Sequence, residues 1–161
     1  MIPFIGEIFA ILAREAGKGL PDCVAELREA VDFLRYYAGQ ATNTPPAGIF
    51  TCISPWNLPL YLLTWKIAPA IAVGNTVVAK PSELTPYTAY LLSKICVEIG
   101  FPKGVINIIH GLGDSAGDAI VRQTDIVSFT GGTETGRIIA ANTASVFKKC
   151  SLELGGKNPS I

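Results

Sequence analysis

Ile126-Val-Ser-Phe-Thr-Gly-Gly-Thr-Glu-Thr-Gly136 is the stretch whose reading decides the fold. A short β-prone run, Ile126–Thr130, ends in two glycines and passes at once into Glu134–Ala141, which reads as a helix. Gly131 and Gly132 free the backbone to approach a phosphate. The helix after Thr133 offers N–H donors at the positive end of its dipole.

The same unit recurs on both sides. Upstream come a strand at Ile49–Ser54, a helix at Leu58–Val73, a strand at Thr76–Ala79 and a helix at Tyr87–Ile99, with Thr85 expected as N-cap and Pro86 in the first turn. A strand at Val105–Ile109 and a helix at Ser115–Arg122, opened by Asp114, lead into the quoted stretch. Beyond it lies a last strand, Ser151–Leu154. The strands are nearly all apolar rather than alternating, as in a parallel sheet covered on both faces. The expectation is an α/β fold: a Rossmann-like, doubly wound parallel sheet with right-handed crossovers and helices on both faces. Ligands then gather at the C-terminal ends of the strands.

Residues 1–46 read as an N-terminal helical segment and linker, and residues 47–161 as the dinucleotide-binding core. Within Ile8–Ala38, Gly17, Gly19 and Pro21 split two helices. The second carries an apolar stripe at Val24, Leu27, Val31, Leu34 and Ala38, which leaves Glu26, Arg28, Glu29, Asp32 and Arg35 on its other faces. Gly39–Gly48 is a linker by composition.

The 161 residues balance 13 basic against 13 acidic side chains, with 16% charged and 49% apolar. That excludes a disordered chain and gives nucleic-acid binding no support. A chain this apolar hides a face against another domain or subunit, or enters a membrane. The longest apolar stretch, Leu58–Ala79, is interrupted by Pro59, Lys66, Pro69, Gly74 and Asn75, which favours a buried helix and strand over a span. The N-terminus has no basic region and carries Glu7, unlike a secretory signal. Cys23, Cys52, Cys96 and Cys150 are scattered, and with His110 they make no metal set at a usual spacing. They read as reduced thiols of a cytoplasmic protein.

The residues that follow each strand carry the chemistry. Lys80 and Glu83 suit a ribose: the lysine donates to hydroxyl oxygens, and a carboxylate accepts from both hydroxyls while repelling a 2′-phosphate, favouring NAD over NADP. Gly111, Gly113 and Gly117 form either a phosphate loop or a plain glycine turn. Asn57 is either a helix N-cap or an amide donor to a developing oxyanion. Glu153, beside Gly155-Gly156, is either a solvated strand-end carboxylate or a general base acting on water.

Ser54-Pro-Trp-Asn-Leu-Pro59, Lys80-Pro-Ser-Glu83, Phe129-Thr-Gly-Gly-Thr-Glu-Thr-Gly136 and Leu152-Glu-Leu-Gly-Gly-Lys-Asn-Pro159, in this order and spacing, resemble the aldehyde dehydrogenase superfamily. The resemblance covers about Ala47 to the C-terminus and extends to the helices before it. Trp56–Pro86 is most similar to muconic-semialdehyde-type members, and Glu26–Ala38 to proline-catabolic glutamate-semialdehyde members. The resemblance implies NAD-dependent oxidation of an aldehyde to an acid. It assigns Asn57 as oxyanion donor, Glu153 as general base for thioester hydrolysis and Lys66 to a proton relay behind them. By the same resemblance Ser54, Pro55 and Trp56 line the nicotinamide-ribose side, and Lys80 and Glu83 hold the adenosine ribose, with Ser82 between them also counted as cofactor-binding. Gly113 and Gly117 lie on the adenine side, Phe129 at the nicotinamide, Gly131 and Gly132 at the pyrophosphate, and Leu154 and Gly155 at the carboxamide, with Thr130 also counted among the cofactor-binding residues.

That chemistry needs a cysteine thiolate, and none of the four cysteines stands in the family's nucleophile context. Cys52, inside a strand, is expected to have its pKa raised by burial. The sequence therefore predicts a cofactor-binding core with its general base, truncated before the catalytic domain and without turnover by itself. The alternative is a non-catalytic nucleotide-binding or interaction module completed by a partner chain. The resemblance implies an aldehyde substrate and a homo-oligomer for the parent enzyme. The apolar composition leads to an expectation of marginal solubility for the isolated chain.

Overall fold

Five parallel strands make one sheet in a computed structural model that describes residues 4–156. They are β1 (Ile49–Ile53), β2 (Thr76–Lys80), β3 (Ile106–Ile108), β4 (Ile126–Gly131) and β5 (Lys149–Leu154), in spatial order β3-β2-β1-β4-β5. The chain runs outward from β1 to β3, then returns to build β4 and β5 on the other side. The order therefore reverses between β1 and β4, the crevice in which open α/β sheets take their ligands. This is the Rossmann-like arrangement that the strand and helix pattern predicts.

Register divides the strands into two faces, because successive side chains alternate. Cys52 pairs with Ala79 and Ser128, and Ser128 pairs with Ser151, so these four share one face. On that face Leu63, Ile67 and Ala70 of α3 (Tyr61–Ala72) and Ala89 of α4 (Tyr87–Glu98) pack against Cys52, Val77 and Ala79. On the opposite face Ile53, Val127, Phe129 and Leu152 meet Val121 of α5 (Asp118–Gln123) and Ile139 of α6 (Thr133–Ala144). Each large side chain so enclosed contributes about 1.5–3 kcal/mol. Helices α1 (Ile5–Glu15) and α2 (Leu20–Gly39) share a further core, Ile8, Leu12, Cys23 and Ala30 with Leu60 and Leu91.

The structure corrects several local expectations. Helix α2 does start at the predicted break, with proline in its first turn. Its buried positions, however, are Cys23, Glu26 and Ala30, while Leu34 and Ala38 are exposed. The buried stripe is thus turned by one residue from the predicted one. Glu26 is the cause: its Oε1 accepts from Leu60 N at 2.8 Å and Tyr61 N at 3.3 Å, and its Oε2 meets Lys18 Nζ at 2.9 Å. A carboxylate from α2 thereby satisfies N–H groups at the start of α3 that have no partner within that helix.

Helix α3 begins at Tyr61 rather than Leu58, so Asn57 is not its N-cap. Thr85 does not cap α4 either; Pro86 occupies that position, and Thr85 Oγ1 donates to Trp56 O at 3.3 Å. Asp114 does not open an α-helix. It lies within a π-helical turn, Gly113–Gly117, where Gly117 N donates to Leu112 O at 3.1 Å, and α5 follows. Strand β5 starts at Lys149 and is half-exposed because it is the sheet's edge. Among the described residues no helix is long and apolar enough to cross a membrane; Leu58–Ala79 divides into α3 and β2. Apolar side chains do remain in the open, among them Val97, Ile99, Ile138, Val146 and Phe147.

Candidate functional site

Two cavities lie on opposite faces of the sheet and share its strands as a common wall. The first, of about 370 Å³, is lined by Ile53 of β1, Lys80 of β2 and Phe129 of β4, by Gly113 and Gly117 of the π-helical turn, and by α5 and α6. It gathers four sequence-assigned residues, Lys80, Gly113, Gly117 and Phe129, beside the point where strand order reverses. Its size falls within the range of small-molecule sites, and its wall is largely apolar.

Glycines keep the first cavity's rim open. A Cβ on Gly131 would stand 2.6 Å from the Phe129 ring, whereas Gly132 faces open space at the N-terminus of α6. A Cβ on Gly136 would run into Leu154, and Gly155 lies near Thr133 Oγ1, so the end of β5 sits against the first turns of α6.

Lys80 is buried, and its Nζ donates to Pro81 O at 3.0 Å and to Glu83 Oε2 at 3.3 Å. Glu83 is half-exposed. Its carboxyl is held below the usual carboxylate range by a backbone N–H bond, with Lys80 adding to this against partial desolvation. Ser82 Oγ accepts from Leu84 N at 3.2 Å, which shapes the turn carrying Glu83. Ser54 is buried at the end of β1, and its Oγ has no partner among the described residues. A second such hydroxyl is Thr130 Oγ1 at the end of β4. Buried hydroxyls are seldom left without a partner, so two at neighbouring strand ends mark the edge where a polar ligand fits.

The second cavity, of about 320 Å³, is lined on the other face by Lys66, Trp65 and Tyr37, and by Ser128 and Glu153. Lys66 points from α3 to the sheet, where its Nζ lies 3.1 Å from Ser128 Oγ. Desolvation pulls its pKa down, against the opposing pull of Cys52 and Glu153. Glu153 pairs in register with Thr130 and is exposed on the edge strand. The structure thus unites Lys66 with Glu153, but on the face away from Lys80 and the two turn glycines.

Asn57 is exposed in the β1–α3 loop with Pro55 and Trp56, and these three residues line neither cavity. The loop is held from both ends, by Thr85 at Trp56 and by Glu26 at Leu60. Of the fifth strand's motif, Lys157, Asn158 and Pro159 lie outside the described residues.

The first cavity also recruits Ile138, Thr135 and Asn142 from α6 and Asp118 from α5, none of which the sequence singles out. A helical i, i+3, i+4, i+7 spacing from Thr135 to Asn142 was the available signal, and it is indistinguishable from ordinary helix packing. Cys52 is fully buried, and burial pushes its thiol up to about 12; burial also raises Cys23, Cys96 and Cys150. Among the described residues no group of three His, Cys, Asp or Glu side chains is placed to hold a metal.

A family model described as the aldehyde dehydrogenase family matches residues 5–161. The chain is 60% identical over 118 residues to a 2-aminomuconic semialdehyde dehydrogenase of Danio rerio, covering 72% of this chain and 24% of that protein. It is 41% identical to a betaine aldehyde dehydrogenase of Bacillus subtilis (strain 168), covering 96% of this chain and 36% of that one. The solved structure of a betaine aldehyde dehydrogenase from Staphylococcus aureus in complex with NAD+ superimposes with a TM-score of 0.91 at 38% identity, over 98% of this chain and 35% of that one. The chain therefore spans about a quarter to a third of the length of these relatives.

Proposed function

The chain belongs to the aldehyde dehydrogenase family, and from that membership we propose that it is the dinucleotide-binding core for oxidation of an aldehyde to a carboxylic acid, with NAD as cofactor and a semialdehyde as substrate. The observation that carries this is the sheet with two working faces: an apolar cavity with a lysine and two turn glycines on one, a lysine and a carboxylate on the other. The residues fit a dinucleotide. The cavity wall suits a flat base, Lys80 and Glu83 suit a ribose, and Gly131-Gly132 leave room for a pyrophosphate at the start of α6. When bound, the nicotinamide supplies a hydride acceptor.

The chain's own residues do the rest. The Asn57 side-chain N–H donates to the carbonyl oxygen as negative charge develops there. The Glu153 carboxylate accepts a proton from the water that releases the acid. Lys66, held by Ser128, passes protons behind Glu153. The covalent step needs a thiolate, and burial keeps all four thiols of this chain protonated at neutral pH. These 161 residues therefore bind the cofactor without turning over an aldehyde, unless another chain segment supplies the thiolate. The semialdehyde is supported by likeness to the Danio rerio protein of that name, 60% identical over 118 residues.

Titration of the chain with NAD and NADP, followed by tryptophan fluorescence, tests the reading. Saturable NAD binding is expected, with NADP weaker. Glu83→Gln should narrow the NAD/NADP ratio about fivefold, the effect of removing roughly 1 kcal/mol of repulsion at a half-exposed site. An unchanged ratio would sink the ribose assignment, and absence of NAD binding would sink the function.

A further inference from the structure

Lys66 has chemistry of its own, independent of any dinucleotide. Only 8% of it is exposed, yet it lines a cavity that opens to solvent. Its hydrogen bond is to a neutral hydroxyl, Ser128 Oγ, and among the described residues it forms no ion pair. Lys80 makes a useful contrast. It is more deeply buried, at 3% exposed, but it is ion-paired with Glu83 at 3.3 Å. Burial without a direct ion pair favours the uncharged amine, whose lone pair is a nucleophile, and this prevails over the opposing pull of Cys52 and of Glu153 in the same cavity.

The walls around Lys66 suit a small organic electrophile. Trp65 presents its ring, stacked on Phe33 at 5.6 Å between centroids and tethered by its Nε1 to Tyr37 Oη at 3.2 Å. Phe50, Pro69 and Ala70 add apolar surface. Cys52, the nearby thiol on the same sheet face, is fully enclosed and its thiol is pushed up to about 12, so it offers no competing thiolate.

We propose that Lys66 is a covalent capture site for small aldehydes, its Nζ condensing with the carbonyl carbon inside this cavity to give an imine. The nitrogen lone pair forms the N–C bond while the carbonyl π pair takes up a proton, giving a carbinolamine. Loss of the carbinolamine hydroxyl as water, with the second amine proton released, leaves C=N. Amine and aldehyde thus give imine and water, with no oxidant or reductant consumed. The adduct occupies the amine assigned to proton transfer, so excess aldehyde would obstruct that transfer. Capture itself requires only the carbonyl and this cavity, whichever reaction the longer protein performs.

The test uses the whole chain at neutral pH with acetaldehyde and sodium cyanoborohydride, which reduces an imine to a stable secondary amine. Peptide mapping over time follows the gain of one ethyl group at each lysine. Lys66 is expected to react about tenfold faster than exposed Lys103 and Lys149 and than ion-paired Lys80. The preference should vanish in concentrated urea, and Lys66→Arg should remove the fast label alone. Ser128→Ala, which leaves the lysine in place, should retain it. Labelling that follows exposure, with Lys103 and Lys149 first, overturns the proposal, as does a Lys66 preference that survives in urea. The NAD titration reads the opposite cavity, so failure of either leaves the other intact.

Discussion

The two faces of the sheet use the same strands for opposite purposes. On β4, Phe129 turns into an apolar cavity beside α5 and α6, while its neighbour Ser128 turns the other way to meet Lys66. Strand β5 repeats the division: Leu152 packs into the apolar core, and Glu153 reaches the polar cavity. One residue of alternation separates the wall of a largely apolar cavity from the wall of one lined by a lysine and a carboxylate. The difference also lies in what holds each face. The α5/α6 side depends on close packing around glycines, and the α3 side on buried polar groups that must find partners.

Glu26→Ala is the largest blow that comparison predicts, and it falls on the polar side. The substitution leaves Leu60 N–H without its acceptor and Lys18 without its counter-ion. Breaking a buried pair by removing one partner costs about 3–5 kcal/mol, and the partly exposed Lys18 draws this toward the lower value. Urea unfolding should register about 3 kcal/mol. Glu26→Gln, which keeps an acceptor for the N–H, should lose roughly half as much. Equal losses for the two variants would show that the carboxylate serves only as filler.

The next effect is electrostatic. Cys52 has a folded-state pKa of about 12 against 9.0 for the free thiol. Its stabilising contribution is therefore full below pH 9 and fades as pH rises toward 12, because the unfolded chain sheds that proton first. The slope is about 1.4 kcal/mol per pH unit in that window. Lys66 acts in the opposite sense: its lowered folded pKa makes stability rise with pH until the unfolded lysine deprotonates near 10.5. Unfolding at pH 8, 9 and 10 should show Cys52→Ala losing less stability per unit above pH 9 than the parent. Parallel curves would place the alkaline transition elsewhere.

Much of this division could be read in the sequence, though not all. The apolar runs Ile49–Ile53, Thr76–Ala79 and Ile126–Thr130, each followed by glycine or by Ser-Pro or Lys-Pro, identify strands with polar ends because few other structures bury so continuous a run. The strand-end residues Lys80 and Glu83 were readable as ribose partners from their types, while Gly113, Gly117 and Phe129 on the cofactor side and the set Asn57, Lys66 and Glu153 came only through the resemblance; of that set the structure brings Lys66 and Glu153 to one cavity and leaves Asn57 outside both. Tertiary partners were not legible. Glu26 reads as a solvent-facing helix residue until the start of α3 is known to need an acceptor, and this turns the whole buried stripe of α2 by one position. Thr85 has the chemistry of an N-cap, but its hydroxyl is taken by Trp56 O, a contact 29 residues away. Asp114 stands where a helix would open, yet Gly113 and Gly117 allow a wider turn that spacing alone does not reveal.

The smallest predicted effect comes from two glycines on the apolar side that a sequence comparison would treat alike. A methyl on Gly131 meets the Phe129 ring at 2.6 Å, and that ring is almost wholly buried, packed with Val127 and Ile139. With nowhere to turn, overpacking costs about 1–3 kcal/mol, and the displaced ring closes part of the cavity, so NAD binding should weaken as well. A methyl on Gly136 meets the Leu154 side chain more closely still, but Leu154 is 37% exposed and can rotate outward. Gly136 also lies inside α6, where alanine gains about 0.5–1 kcal/mol in helix propensity. The two contributions nearly cancel, and Gly136→Ala should unfold within about 0.5 kcal/mol of the parent. What a new methyl costs here is set by the freedom of the neighbour it strikes rather than by the distance at which it strikes. Thermal unfolding of both variants decides the point, and a larger loss for Gly136→Ala than for Gly131→Ala would reverse it.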